Sequence, residues 1–455
     1  VEYVRSSKVR PPLPEGPFLV VGLARSGVAA ARALKERGQA VFGVDSGEPE
    51  GLEVLRESGI GFETSTSGVE HLEGVSTVVK SPGVPSSADV VVEARRRGIR
   101  VLGELELGWR LLDAPFVAIT GTNGKTTTTE LTAHLFRSAG RAASAAGNVG
   151  HPVCEVAMEA SAGADVGTVV CECSSFQLED SEAFSPEVAA LLNVRPDHLD
   201  RHGDMVSYRD AKLRIFANQA EGDVAVLNRD EPGLDGVETT AAQVGFTTAD
   251  ASDATVTLDG ERILVDGVLL VEAGEMKIMG RHNVANAMAG AASALALGLS
   301  MEDVAEGLRT FPPVPHRYEP VGEIEGVLFI NDSKATNVDA TLAALDSSDR
   351  TLHLILGGSA KDEPFDGLVP AVRERCRGIY LIGETADEIG RALEPAGLEI
   401  VRYCEDLEAA VSEAAGAATP GEAVLLSPAC ASFDQFRNYE DRGEQFRRFV
   451  EELDG

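Results

Sequence analysis

Short apolar runs, each ending in a glycine or a polar turn and each followed by a longer amphipathic stretch, recur along most of this chain. PFLVVGLARSG reads as a strand running into a turn, followed by a helix over Val28–Arg37 and a second strand over Ala40–Asp45. Thr77–Val79, Phe116–Ile119, Gly167–Cys173 and Val188–Val194 continue the series. Beyond residue 313 it resumes at Val327–Ile330, Leu352–Leu356, Ile379–Ile382 and Ala423–Leu426. Strands that alternate with helices in this way predict parallel sheets with polar loops at their C-terminal edges. Residues 222–280 break the rhythm with short strands and Gly turns, and an Ala-rich helix opens after Gly280. The expected fold is α/β in three domains: Rossmann-like over 1–108, a P-loop-type central domain with a small β-rich part over 109–312, and Rossmann-like again over 313–455.

Candidate chemistry gathers at strand ends. Phe116–Ile119 breaks at Gly121 and resumes as a helix after Gly124, enclosing GTNGKTT, residues 121–127. The spelling is shorter than G-x-x-x-x-G-K-[ST], with Gly121 three residues before Gly124, but the physics is the same. Glycines let backbone N–H groups turn around an anion, the helix presents its positive end, Lys125 reaches the β/γ-phosphates and Thr126 offers a hydroxyl to Mg²⁺. An ordinary strand-to-helix turn has no need of Gly, Lys and three Thr in register, so a nucleoside triphosphate site is expected. Glu172 ends an apolar strand where P-loop proteins place the carboxylate that holds Mg²⁺; a surface glutamate is the alternative. Asp197, His198 and Asp200 follow the next strand, placed either to hold a metal or to serve structure. Lys212 stands among apolar neighbours in a helical stretch. Near the start, Gly22, Ala24 and Gly27 take the places of G-x-G-x-x-G, with Asp45 about twenty residues on for a ribose or base edge. The Ala24 methyl group weighs against NAD more than against nucleotides in general, and a ligand-free sheet turn stays open. Lys80–Pro85 is a rigid loop at the same sheet edge. Asn283 and Asn286, at i and i+3, share a helix face suited to a base or ribose.

Composition narrows the classes. The 455 residues suggest two to four domains, and 44% hydrophobic with 25% charged residues is the balance of a soluble globular protein. A net charge of −33 argues against nucleic-acid and membrane partners, whose phosphates it would repel. Val1–Pro17 is polar and Pro-rich, with no leader-like apolar segment, and Ala285–Leu299 is too short to span a bilayer. The six Cys are scattered, which predicts buried free thiols in a reducing cytosol. Only eight Lys stand against 32 Arg, and Lys125, Lys212, Lys334 and Lys361 lie in motifs, where a compact, titratable amine is useful.

Together GTNGKTT, ECSSFQLE, NVRPDHLDRH, YRDAKLRIF, GRHNVAN, PHRYE, NDSKATN and SPACASFDQFRNYEDRG resemble the Mur ligases over essentially the whole chain. The long last motif is similar to that of the family's D-glutamate-adding branch. The resemblance implies a cytoplasmic, monomeric, ADP-forming ligase of peptidoglycan precursor synthesis. It would join D-glutamate to UDP-N-acetylmuramoyl-L-alanine through an acyl phosphate, using ATP and two Mg²⁺. By position, Arg25, Ser26, Asp45, Ser81, Pro82, Gly83 and Asn148 are implied to meet the UDP-substrate. Gly121, Asn123, Gly124, Lys125, Thr126, Thr127, Asn283, Asn286, Arg317, Asp332 and Lys334 are implied to meet ATP. Thr126, Glu172, His198 and Lys212 are implied at the metal, with Lys125, His198 and Lys212 catalytic and Lys212 carbamylated. Thr336, Lys361, Ser432, Phe433 and Tyr439 are implied in the D-glutamate pocket. Ala24, Arg25, Gly47, Phe433 and Tyr439 depart from residues common in relatives, which bears on the uracil and D-glutamate contacts. A sister Mur ligase, a folylpolyglutamate synthetase, an NAD oxidoreductase fused to a P-loop module and a nucleotide switch are the competing readings.

Overall fold

A computed structural model describes residues 8–148, 150–234, 236–249, 254–360 and 364–453. Three sheets are distributed over two compact units, one of Val1–Glu272 with Ala287–Leu308 and one of Ala273–Asn286 with Arg309–Gly455.

The first unit opens with five parallel strands in the order Gly61–Glu63, Val41–Val44, Phe18–Val21, Thr77–Lys80, Arg100–Gly103. All four residues of Phe18–Val21 are buried, because helices cover both faces of a central parallel strand. The chain leaves this strand in opposite directions on its two sides, so a crevice forms at its C-terminal end. The helix that follows is Arg25–Glu36, three residues earlier than the apolar pattern indicates. Its entry is set by Gly27: a Cβ there would lie 1.7 Å from the Gly22 carbonyl oxygen, so only glycine lets helix and strand approach so closely.

The same unit holds a nine-stranded sheet. Phe116–Thr120 lies in its parallel part, fully buried between Thr168–Glu172 and Val188–Leu191. The latter strand stops short of Val194. Val224–Asn228, Ala242–Thr247 and Val256–Asp259 extend the sheet in parallel. Arg262–Val265 and Val268–Glu272 then close it as an antiparallel meander, the β-rich part expected. Residues 208–216 divide into helix Met205–Leu213 and a 3₁₀ turn, Arg214–Phe216.

The two sheets of this unit are joined by buried polar contacts. Helix Glu104–Leu111 packs on helix Val153–Ser161. Glu106 accepts the backbone N–H groups of Ala183 (3.1 Å) and Phe184 (2.8 Å). Lys80 pairs with Asp180 at 2.7 Å, both side chains buried. The first unit's tryptophan, Trp109, meets Phe184 edge to face at 5.8 Å.

In the second unit Val327–Asn331, Ala423–Leu426, Leu352–Gly357, Cys376–Ile382 and Ile400–Tyr403 are parallel in that order. An antiparallel edge strand, Glu319–Ile324, which sequence patterning does not reveal, precedes them. Its mostly half-buried residues and its bulge at Pro320–Gly322 erase the period-two signal. The six cysteines are free thiols, and all but Cys404 are buried. No helix among the described residues is long and apolar enough to cross a membrane.

Candidate active site

Phe116–Thr120 delivers Gly121–Gly124 to the edge of the nine-stranded sheet, and helix Lys125–Ser138 starts at once. Gly124 takes φ +84°, a left-handed conformation that reverses the chain and that a side chain would strain. No side-chain cap closes the helix and no acid stands in its first turn, the setting that favours an anion. Asn193, from the neighbouring strand's end, braces the loop. Its Oδ1 accepts the N–H groups of Thr122 and Asn123, each at 2.9 Å, and its Nδ2 donates to the Asn123 carbonyl at 3.1 Å. Lys125 Nζ donates to the carbonyls of Gly121 (3.0 Å) and Thr122 (2.7 Å). Lys212 Nζ donates to the same Gly121 carbonyl at 2.8 Å and sits 4.4 Å over the Tyr208 ring. Burial, then the charge of Lys125, hold the Lys212 amine well below the ordinary lysine range, against the pull of Asp197 and Glu172.

Glu172 is buried beside this loop. Its two oxygens accept from Thr126 Oγ1 (2.6 Å) and Asn148 Nδ2 (3.1 Å). Asn148 N–H bonds the Glu172 carbonyl at 2.9 Å, and a Cβ on Gly147 would lie 2.1 Å from that oxygen. His198, at φ +54°, precedes the short helix Leu199–His202; its Nε2 is 3.5 Å from Asp197 Oδ2. The His198 ring lies 5.0 Å from Phe176, which stacks on His202 at 5.1 Å. His202 bonds Ser175 (2.9 Å) and meets Glu179 (3.3 Å), and burial lowers its pKa.

At the crevice of the five-stranded sheet a cleft of about 480 Å³ is lined by Arg25, Ser26, Asp45, Ser81, Pro82 and Gly83. Asp45, expected at a ribose or base edge, also braces the turn. It accepts the N–H groups of Leu23 (2.6 Å) and Gly47 (2.8 Å). Arg25 donates to the Gly150 carbonyl at 2.5 Å, so the cleft rim reaches the Asn148 segment.

In the second unit, Asn286 Nδ2 donates to Asn283 Oδ1 at 3.1 Å and Asn283 Nδ2 to the Met279 carbonyl at 2.8 Å, which confirms the shared helix face. Asp332 accepts from Tyr318 N–H and Ser427 Oγ, each at 3.0 Å. Burial pushes its carboxyl up to about 7, against those bonds and the charge of Arg317. Lys334 Nζ lies 3.4 Å over the Tyr439 ring. Thr336 is half-buried, Ser432 buried and Phe433 74% exposed. Lys361 lies outside the described residues. Arg442 ties these loops together from the helix Tyr439–Leu453. Its buried guanidinium bonds Ser333 Oγ (3.0 Å), the Ser333 carbonyl (2.7 Å) and the Cys430 carbonyl (3.2 Å).

The family model of the Mur ligase middle domain matches residues 119–294, that of the Mur ligase glutamate ligase domain residues 316–430, and that of the MurD-like N-terminal domain residues 17–103. A UDP-N-acetylmuramoylalanine–D-glutamate ligase of Salinibacter ruber is 43% identical, the match covering 95% of this chain and 97% of the relative. The protein of the same description in Alkaliphilus metalliredigens is 40% identical over 96% and 98%. The chain belongs to the Mur ligase family. Its three-domain α/β architecture is that of the family. Two solved structures share the fold. UDP-N-acetylmuramate–alanine ligase of Thermotoga maritima has TM-score 0.58 at 21% identity, covering 96% of this chain and 98% of that one. A pseudomurein peptide ligase of Methanothermus fervidus has TM-score 0.59 at 17%, covering 96% and 100%.

Asn193, Arg201 and Arg442 carry contacts at these sites that motif reading passes over. Arg442 had a signal: it falls on the helix stripe of Gly443, Phe446, Phe449 and Val450, where a charge must find buried partners. Asn193 had only its place at a strand end beside the phosphate loop.

Proposed function

We propose that this chain joins D-glutamate to UDP-N-acetylmuramoyl-L-alanine with ATP, in the cytoplasm, as a step of peptidoglycan precursor synthesis. The observation that carries the reading is the whole-length match to relatives of that description at 38–43% identity. The geometry of the phosphate loop supports it. Residues 1–108 hold the UDP end of the substrate, 109–312 the ATP and 313–455 the D-glutamate. Arg25, Ser26, Asp45, Ser81, Pro82, Gly83 and Asn148 meet the UDP-substrate. Gly121, Asn123, Gly124, Lys125, Thr126 and Thr127 meet the phosphates of ATP. Thr336, Lys361, Ser432, Phe433 and Tyr439 form the amino-acid pocket.

The L-alanyl carboxylate attacks the γ-phosphorus and ADP leaves, giving an acyl phosphate. The D-glutamate amine attacks the acyl carbon and phosphate leaves. Carboxylates are poor electrophiles, and converting the leaving oxygen to phosphate makes the amide step feasible. Lys125, folded here onto its own loop carbonyls, exchanges them for phosphate oxygens, and the helix N-terminus faces the same charge. Thr126 and the buried Glu172, hydrogen-bonded to each other at 2.6 Å, are oxygen donors that fit Mg²⁺, and the imidazole of His198 would join them. When bound, Mg²⁺ supplies neutralising charge for the transferring phosphoryl group. Lys212 as an ammonium has no lone pair to offer. Burial favours its neutral amine over the ammonium, and only the neutral form can react with CO₂ to give a carbamate, which would be an anionic oxygen donor. Phosphate release measured with the UDP-substrate, ATP and a panel of D-Glu, L-Glu, L-Ala and meso-diaminopimelate tests the reading. Release is expected with D-Glu alone, and release only with another member overturns it.

A further inference from the structure

The cleft's Ser81–Pro85 loop is held from both sides. From its own strand, Lys80 Nζ donates to the Val84 carbonyl at 2.8 Å while pairing with Asp180 across the sheet boundary at 2.7 Å. From the short helix after His198, Arg201 donates to the carbonyls of Pro82 (2.8 Å) and Val84 (3.1 Å). Its guanidinium also lies 3.8 Å over the Phe176 ring, whose other neighbours are His198 and His202. One planar cation thus touches the rim of the nucleotide cleft and the aromatic residue that packs on the His198 ring. Both donations come from one nitrogen, Nη2, so the planar guanidinium keeps its face on the ring while it bonds, whereas a lysine would have to use its single nitrogen for the carbonyls and the ring together.

We propose that Arg201 is a positioning residue for the UDP-substrate. By fixing Pro82 and Val84 against the His198 segment, it sets the distance between the bound nucleotide and the reacting carboxylate. The inference rests on the function proposed above. Because Arg201 acts on the loop that lines the cleft, its loss is felt in the UDP-substrate's KM and, through misplacement of the carboxylate, in kcat. ATP and D-glutamate are bound by other loops, and their KM values stay unchanged.

Steady-state kinetics of the full chain, each substrate varied in turn, test this with Arg201→Ala, Arg201→Met and Arg201→Lys. The Met variant keeps apolar packing on Phe176 and removes the donors, so it separates hydrogen bonding from folding. Both Ala and Met are expected to raise the UDP-substrate's KM about tenfold, the factor carried by one charged hydrogen bond, with Lys intermediate. The KM values of ATP and D-glutamate should move less than about twofold, a difference too small for a lost contact. Equal rises in all three KM values, or a Met variant with wild-type kinetics, overturn the inference while wild-type turnover leaves the function standing. A wild-type chain that does not turn over this substrate overturns both.

Discussion

Lys212 is the residue at which the proposed chemistry of the first unit is most directly tested. Its amine is buried, shares the Gly121 carbonyl with Lys125, and is depressed well below the ordinary lysine range. Lys212→Ala should cost about a hundredfold or more in kcat, the scale of a lost preorganised charge. Short carboxylic acids or bicarbonate should restore part of it by filling the vacated space, whereas Lys212→Arg should not respond. Full activity in the unaided Ala variant removes the residue from the site. The residue stood out in the sequence because a lone lysine amid apolar neighbours in an arginine-rich chain is conspicuous, whereas its carbamylation is implied only by the family resemblance. The second charged residue of this kind, Asp332, makes a pH prediction. Burial raises its folded pKa to about 7, above the usual carboxylate range, so the folded state holds a proton that the unfolded chain has released. Stability of the second unit should therefore fall as pH rises from about 4 to about 7. Asp332→Asn should flatten that part of the profile, as measured by denaturant midpoints of the full chain. An unchanged slope would show the carboxyl to be ionised in the fold.

At the scale of elements, sequence pattern located most buried parallel strands, because burial on both faces leaves an apolar run that no other context needs. It was less successful where a glycine approach or an exposed edge decided the outcome. The helix that packs Gly27 on the Gly22 carbonyl starts three residues before its apolar pattern, and the mostly half-buried strand Glu319–Ile324 left no alternation to read. The same limit applies to the phosphate loop. GTNGKTT announced itself, but its shape depends on Asn193, seventy residues on, which satisfies two of its N–H groups and one carbonyl. Asn193→Ala deletes those bonds without touching the motif. A cost of about 2 kcal/mol in loop order, from two lost acceptor contacts, should appear as a rise of about thirtyfold in the KM of ATP. The UDP-substrate's KM should hold. Unchanged ATP kinetics would mean that the glycines alone shape the loop.

Over the whole molecule, the 33 excess negative charges are too many for the anionic substrates to ignore, yet the local geometry reverses their sign where it matters. Lys125 and a helix N-terminus converge at the phosphate loop, and in the second unit Lys334 stands on a loop that Arg442 braces from the helix Tyr439–Leu453. What the charge does to stability is a matter of spacing. Spread over 18,815 Å² of accessible surface, it amounts to one excess charge per about 570 Å², or about 24 Å between neighbours. That separation lies inside the screening length of about 30 Å at 10 mM salt and well outside the 8–10 Å of physiological salt. Repulsion should therefore matter only in dilute buffer. Raising NaCl from about 10 to 150 mM should lift the midpoint of thermal unfolding by a few degrees, and a further rise to 1 M should add little. The chain's one tryptophan, Trp109, is buried in the first unit, so its emission follows that unit without interference from the second. A midpoint that keeps climbing through molar salt would contradict the spacing argument, and would point to specific cation binding on the acidic surface instead.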